Sequence, residues 1–284
     1  MSLARLIAET IGKPVPPEIR VVADGARARH RGVAAVLAYG SCLRGIATTE
    51  SLIDLYVLTD DLSGVSRNAV SRMACGLVPP NVYYIECDVA EQRYRAKYAV
   101  LPLPLFARWM TAANPYFWAR FSQPSALVYC ANEKTRSETI AALAHAVETA
   151  FGNARALSSA SDPLDVWTAG FAATYATELR AETAARADSI VAANTGYYRA
   201  AAESMSGTAP IAANWPLRRV TGKLWSAARL VKAAFTFTGG ADYIAWKIER
   251  HSGQKITLTD WQRRHPVMAG LLLLPRLLKR GAVR

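Results

Sequence analysis

The chain has 284 residues, 51% hydrophobic and 20% charged, which suffices for one large or two modest domains and excludes disorder over most of its length. Its four cysteines form no CxxC pair and have no histidine cluster beside them, so neither a zinc site nor a disulfide framework is expected. Arg5 and Glu9 interrupt the apolar N-terminal residues, and no apolar run approaches the roughly 20 residues of a membrane-spanning helix. We therefore expect a cytoplasmic protein that is neither secreted nor integral to a membrane.

The positive charge is concentrated at one end of the chain. The net charge is +12, and residues 218–284 contain fourteen Lys or Arg against three acids, so they contribute +11 of it. Such asymmetry predicts an anionic partner, either nucleic acid or the surface of an anionic membrane.

Strand patterns are confined to the first 131 residues. A helical stretch over 5–30, interrupted by prolines, precedes them, and another helix is expected between the second and third strands. The predicted strands are 33–39, 52–58, 82–87, 93–101 and 126–130. The third and fourth of these are expected to pair antiparallel, which completes a compact half that mixes helices and strands.

The remainder of the chain shows helical patterns only. Single helices are predicted over 133–151 and 196–206 and a pair of helices over 162–194, and further ones begin at Arg218, Asp242 and Asp260. The predicted fold class is α+β, with a mixed sheet of the nucleotidyltransferase type and flanking helices, then an all-α domain and a basic amphipathic region. We place the domain boundaries at 1–131, 132–217 and 218–284.

A strand, a Gly-Ser turn and an acid-bearing strand follow one another over residues 33–58. Gly40 lets the backbone approach a phosphate, and Ser41 with the neighbouring N–H groups can bind that phosphate. Asp54 is embedded in the second apolar run, where a carboxylate is costly unless it is paired or binds a metal. This order is typical of nucleotidyltransferases, which bind a nucleoside triphosphate and Mg²⁺. The alternative is that Asp54 caps a neighbouring element.

A second metal ligand is not evident in this stretch. Nucleotidyltransferases usually have two acids separated by one residue on that strand, but the earlier position here is Leu52. The candidates for the second acid are Glu50, just before the strand, and Glu86 or Asp88, at the end of the third strand. An inactive nucleotide-binding remnant is the alternative interpretation.

Four short elements carry a more specific resemblance. They are Tyr39-Gly40-Ser41, the lone acid Asp54, Val82-Tyr83-Tyr84 followed by Lys97-Tyr98-Ala99-Val100, and Tyr175-x-Thr177-Glu178-x-Arg180. Their order resembles that of the mitochondrial-type phosphatidate cytidylyltransferases, the peripheral CDP-diacylglycerol synthases of the translocator-maintenance family, in a bacterial branch. The resemblance covers residues 33–130 and, more loosely, 165–205. Four residues depart from the family pattern, namely Cys42, Ala99, Thr177 and Glu178.

The resemblance implies an activity and a set of site residues. Such an enzyme joins CTP to a lipid phosphate, here phosphatidate, and releases pyrophosphate with the help of Mg²⁺. Asp54 and Lys97 would be catalytic, and Tyr39, Gly40, Ser41 and Lys97 would bind the nucleotide. The metal ligands would be Asp54 and Glu86, with Glu50, Asp88, Tyr175, Glu178 and Arg180 as further candidates. For Lys97 the alternative is a solvated strand lysine, and for Glu178 and Arg180 it is a surface pair.

The basic C-terminal region is predicted to contact an anionic membrane, at the inner face of the cell membrane. Its leucines and aromatic residues, among them Trp225 and Phe235, lie between lysines and arginines, a pattern typical of helices that bind the interface. The alternative is a positively charged helical subdomain packed against the rest of the protein.

Two other functions compete with a lipid-phosphate cytidylyltransferase. One is a nucleic-acid-binding protein on an inactive nucleotidyltransferase fold, which would use the +11 region on phosphates; no nucleic-acid motif is evident, so we expect no nucleic-acid partner. The other is a nucleotidyltransferase for a sphingolipid phosphate or a small molecule.

Overall fold

The computed structural model describes residues 1–44, 52–178, 184–237, 239–252 and 257–264. The strands are β1 (Val33–Tyr39), β2 (Leu52–Thr59), β3 (Asn81–Val89), β4 (Gln92–Pro102) and β5 (Ser125–Cys130). The helices before β5 are α1 (Leu3–Ile11), α2 (Pro17–Arg27), a 3₁₀ helix (Gly40–Arg44), α3 (Leu62–Val65), α4 (Ala69–Leu77), α5 (Leu103–Trp109) and α6 (Trp118–Phe121). The helices after β5 are α7 (Glu133–Arg155), α8 (Pro163–Tyr175), α9 (Ala184–Ala192), α10 (Thr195–Ser204), α11 (Trp215–Thr236), α12 (Gly240–Ser252) and α13 (Asp260–Arg264).

The five strands form one mixed sheet in the order β3-β4-β2-β1-β5. Only β2 and β4 pair in parallel; the other neighbours, including β3 and β4, are antiparallel. The central strands β1 and β2 are buried along almost their whole length, as expected for apolar runs covered by helices on both faces. The predicted α+β class, with a mixed sheet and flanking helices, is confirmed.

The helices that follow the sheet begin at polar caps and pack on the same core. Asn132 accepts a hydrogen bond from the N–H of Thr135 at 2.9 Å, and Asp162 accepts one from Leu164 at 2.9 Å, so both residues cap the first turn of their helices. Buried side chains of the helical part, including Phe151 and Trp167, belong to one hydrophobic cluster with those of the sheet. No strand follows β5 in the part of the chain that the structure describes. The division into three domains stays a prediction.

Helix α11 has two different long faces. The inner face repeats every three or four residues, and its contacts are Arg218 with Asn153, Gly222 with Thr177, Trp225 with Trp109, Arg229 with Tyr116 and Lys232 with the segment Val78–Asn81. A second stripe at the same spacing is apolar and exposed; it consists of Leu217, Val220, Leu224, Val231 and Phe235. Phe235 is 81% exposed, whereas Trp225 is half-buried against Trp109. One face of the helix is therefore packed against the protein and another is exposed, while the membrane contact stays a prediction.

Over the described residues, no helix combines the length and the apolar character needed to cross a bilayer.

Candidate nucleotide site

The sheet register brings four of the motif side chains into one row. Tyr39 on β1 pairs with Asp54 on β2, Asp54 pairs with Lys97 on β4, and Lys97 pairs with Tyr84 on β3. Because directly paired residues point to the same face of a sheet, Tyr39, Asp54 and Lys97 extend from that face side by side. The Lys97 Nζ lies 3.7 Å from Asp54 Oδ1.

The Gly-Ser turn places backbone directly beside Asp54. Gly40 has φ +82°, a conformation that glycine adopts without the steric cost that other residues have there. A Cβ at this position would lie 3.8 Å from Asp54 Oδ2, so the turn and the carboxylate enclose a narrow space. Ser41 is exposed and lines the same space.

Cys42 has a structural role in this turn. Its side chain is buried, and its thiol donates a hydrogen bond to the carbonyl of Tyr39 at 3.1 Å. Burial is the main reason that the pKa of the Cys42 thiol rises to about 11. A thiol that stays protonated at neutral pH is neither a nucleophile nor a metal ligand.

The carboxylate of Asp54 is in an environment that disfavours its charge. Burial raises the pKa of Asp54, and the cationic groups of Lys97 and Arg120 only partly oppose that effect. Its Oδ1 is buried and has no hydrogen-bond partner within the described structure. A buried acceptor without a donor costs free energy, which a bound ligand can recover.

A cavity of about 260 Å³ opens above this row, and residues distant in sequence contribute to it. Of the predicted site residues, it is lined by Tyr39, Gly40, Ser41, Asp54, Lys97, Tyr175 and Glu178. The last two lie more than 120 positions beyond Asp54, at the end of α8, so only the packing of that helix over the sheet brings them to the turn. Asp54 and Glu178 are the two carboxylates among the described residues that line the cavity.

Sequence reasoning missed Arg120, which lines this cavity. The Arg120 guanidinium donates a hydrogen bond to the Tyr56 hydroxyl at 3.2 Å and lies 4.3 Å from the ring centre of Tyr116. It forms no ion pair with a carboxylate of the described residues, so its charge is available to an anion in the cavity. The available signal was a single arginine within the aromatic segment Pro115–Phe121.

Tyr116 and Arg186 also line the cavity and were not predicted. Burial by itself favours the neutral phenol of Tyr116, but the guanidinium groups of Arg120 and Arg229 outweigh it and lower its pKa. Arg186 comes from α9, outside the motifs that carried the resemblance. With Lys97 and Arg120, it makes the lining of the cavity predominantly basic.

Glu86 and Asp88 are not brought to Asp54. Glu86 accepts hydrogen bonds from Tyr84 at 2.8 Å and from Arg95 at 3.1 Å, and it lines a separate cavity together with these two residues. Asp88 forms an ion pair with Arg93 at 2.9 Å. Both acids thus neutralise arginines of the β3–β4 hairpin. The candidates Glu50 and Arg180 lie outside the described residues.

The carboxylates that line the cavity are the possible ligands for the predicted Mg²⁺. In the described structure no three His, Cys, Asp or Glu side chains cluster as a metal cage. Mg²⁺, however, is usually bound through one or two carboxylates together with phosphates of the substrate and water. The orphaned Oδ1 of Asp54 and a second carboxylate in the same cavity, Glu178, fit that requirement.

No protein-family model matches this chain, and a search of curated proteins found no significant match.

Proposed function

We propose that the protein is a nucleotidyltransferase that transfers the cytidylyl group of CTP to a lipid phosphate, phosphatidate, to form CDP-diacylglycerol and pyrophosphate. The observation that carries this proposal is the Asp54 carboxylate, whose buried Oδ1 has no hydrogen-bond partner among the described residues and which lies against the positive-φ turn at Gly40. The mixed sheet, with a Gly-Ser turn between β1 and the acid-bearing β2, supports a nucleotidyltransferase fold.

The chain's own groups suit the binding of a triphosphate. The backbone at Gly40 and Ser41 can approach the phosphates closely, and Lys97 and Arg120 offset their charge. Burial and the nearby Asp54 hold the pKa of Tyr39 well above its ordinary range, so its hydroxyl remains protonated and can donate a hydrogen bond. An anionic acceptor phosphate needs no strong general base, so positioning and charge neutralisation are the main contributions of the protein.

The transfer conserves atoms without a further reactant. An oxygen of the acceptor phosphate forms a bond to the α-phosphorus of CTP, and the bond between that phosphorus and the α–β bridging oxygen breaks, so pyrophosphate leaves. Mg²⁺, when bound by Asp54 together with Glu178, would neutralise the charge that develops on the phosphates.

The exposed stripe of α11 supports a membrane-bound acceptor. Leu224 is 65% exposed and Phe235 81% exposed, and Arg219 and Lys223 are exposed on the neighbouring side of the same helix. An apolar stripe flanked by basic residues can enter the interface of an anionic membrane, where each basic residue contributes about 1 kcal/mol. We therefore propose a peripheral location at the inner face of the cell membrane.

The test is a screen of nucleoside triphosphates against phosphorylated lipids, with pyrophosphate release as the measurement. The expected result is Mg²⁺-dependent release with CTP and phosphatidate in mixed micelles. Sphingolipid phosphates and phosphorylated small molecules serve as competing acceptors. If no triphosphate gives pyrophosphate with any acceptor and none binds, the proposal is refuted.

A further inference from the structure

A second cavity adjoins the candidate nucleotide cavity. It also measures about 260 Å³, and Tyr116 and Glu178 line both. Its other walls are α11 and the start of β3, which contribute the apolar side chains of Pro80, Val82, Leu230 and Ala233. Tyr116 and Glu178 therefore lie where the two cavities meet.

Arg229 and Lys232 are the two cations among the described residues that line this second cavity, and Arg229 has an unused donor. Its guanidinium lies 3.6 Å from the ring centre of Tyr116, and its Nη2 donates a hydrogen bond to the Ser226 hydroxyl at 3.2 Å. Its Nη1 is buried without a hydrogen-bond partner, and no carboxylate of the described residues forms an ion pair with it. Burial lowers the pKa of Arg229, which means that its charge is poorly solvated. A buried guanidinium with an unused donor is suited to a phosphate, which accepts such bonds in a fork geometry.

Lys232, one turn along the same helix, has a different role. Its Nζ donates hydrogen bonds to the carbonyls of Val78 and Pro80 and to Oδ1 of Asn81. Burial lowers the pKa of Lys232 to about 8. With three acceptors already bound, Lys232 fastens α11 to the end of α4 and has no donor left for a ligand.

The cavity also leads to the exposed apolar surface. Leu230 is 65% exposed at its rim, and Val231 follows it on the apolar stripe of α11. An acyl chain attached to a phosphate at Arg229 could pass Ala233 and Leu230 and leave the protein where the stripe faces outward.

We propose that this second cavity is the acceptor subsite, in which Arg229 binds the phosphate of a phosphomonoester that has an apolar chain. The inference rests on the proposed function, because it takes the first cavity as the nucleotide site. It assigns the substrate class by chemistry: the phosphate is recognised by the guanidinium, and the chain by the apolar walls. Glycerol 3-phosphate, which lacks the chain, should bind weakly.

The test measures binding without turnover, on the full chain. Dihexanoyl phosphatidate is titrated as a monomer and followed by ³¹P NMR or calorimetry. Arg229→Gln should weaken binding at least tenfold, about 1.4 kcal/mol. The control Arg20→Gln changes an exposed arginine of α2 that lines neither cavity, and it should stay within twofold of the unmodified protein. Glycerol 3-phosphate should bind at least tenfold more weakly than dihexanoyl phosphatidate.

A second variant keeps the test valid if Arg229→Gln does not fold. Ala233→Phe fills part of the cavity without removing a charge, and it should also weaken lipid binding tenfold while CTP binding stays unchanged. Equal affinity of both variants and the unmodified protein for dihexanoyl phosphatidate would overturn the inference. Equal affinity of the unmodified protein for glycerol 3-phosphate and for dihexanoyl phosphatidate would overturn it as well.

The two proposals fail in different ways. If the protein binds the lipid in an Arg229-dependent way but neither binds nor turns over CTP, the proposed nucleotidyltransferase activity is refuted. The binding of a lipid phosphate at Arg229 is then retained. Turnover of CTP and phosphatidate with an acceptor KM that neither variant changes would refute the subsite and leave the activity standing.

Discussion

Replacing Asp54 by asparagine separates the function of this residue from its contribution to stability. The change keeps the shape of the side chain and removes its charge. In the folded chain that charge is partly paired, since Lys97 Nζ lies 3.7 Å from Oδ1, but Oδ1 itself has no hydrogen-bond partner in the described structure. The carboxylate is therefore poorly stabilised where it lies.

Two opposing contributions decide the stability of Asp54→Asn. The amide oxygen, like Oδ1, lacks a partner, so the cost of about 1–3 kcal/mol for that atom largely cancels, and the amide avoids part of the cost of a buried charge. A partly exposed ion pair contributes about 0–1 kcal/mol, which the variant loses. We expect the free energy of unfolding to change by no more than about 1 kcal/mol, which corresponds to a shift of at most about 4 °C in Tm.

The same substitution should abolish transfer. If Asp54 holds the metal and the triphosphate, its loss should reduce pyrophosphate release by at least about 10³-fold, or about 4 kcal/mol of transition-state stabilisation. The matched control is Asp88→Asn, which removes a carboxylate from the neighbouring hairpin where it is paired with Arg93 and exposed. That variant should retain full turnover.

The pH dependence of stability has a definite sign. Burial raises the pKa of Asp54 in the folded chain, so the folded state holds this proton more tightly than the unfolded state does. The group's contribution to stability is thus fully present below the ordinary aspartate pKa of about 3.9 and is lost as pH rises through the raised value. As pH rises from about 3.9 to the raised pKa of Asp54, the stability of Asp54→Asn should increase relative to that of the unmodified protein. Above the raised pKa the difference in stability should stay constant.

The assays are thermal denaturation between pH 4 and pH 8, and pyrophosphate release at pH 7.5. Unchanged turnover in Asp54→Asn would remove this residue from the mechanism. A loss of more than about 2 kcal/mol in the free energy of unfolding would show that Asp54 is instead a structural partner of Lys97, because loss of a partly exposed ion pair accounts for only about 1 kcal/mol.

Three further substitutions test the second carboxylate, the membrane contact and the packing of α11. Glu178→Gln should lower turnover at least tenfold, whereas Glu86→Gln, whose carboxylate is bound to arginines away from the cavity, should leave kcat within twofold; the reverse order would exchange their roles. Leu224→Glu should reduce cosedimentation with anionic liposomes severalfold without changing CTP affinity, and unaltered sedimentation would argue against the stripe. Gly222→Ala would place a Cβ 2.6 Å from the carbonyl oxygen of Thr177, so we expect about 1–3 kcal/mol of destabilisation by chemical denaturation; a neutral effect would mean that α11 shifts freely.

Several parts of this protein were accessible from local sequence patterns. The strand limits Val33–Tyr39 were predicted correctly, because an apolar run bounded by a glycine turn depends on neighbouring residues alone. Helix α11 was predicted from the spacing of its apolar residues, and it begins only three residues earlier than expected. The position of Asp54 within an apolar strand was also read from neighbouring residues, while its role as a metal ligand stays a prediction.

Contacts between distant segments were not accessible in the same way. The choice between Glu86 and Glu178 depends on which carboxylate the packing of α8 places over the sheet, and no local pattern carries that information. Arg120 and Arg229 were indistinguishable in sequence from solvated arginines until Tyr116 was seen beside both.

The sequence by itself determined the order of strands and helices, the glycine turn and the buried aspartate, because hydrophobic period and backbone preference act over a few residues. Only the tertiary structure decided which charged groups surround that aspartate, since desolvation and pairing depend on segments that meet in space. It also decided that α11 is anchored through Arg218, Arg229 and Lys232 while its apolar stripe remains exposed. Residues 33–44 and 52–58 therefore contribute the turn and the aspartate of the candidate site, and the packing of the later helices over them determines which other residues line it.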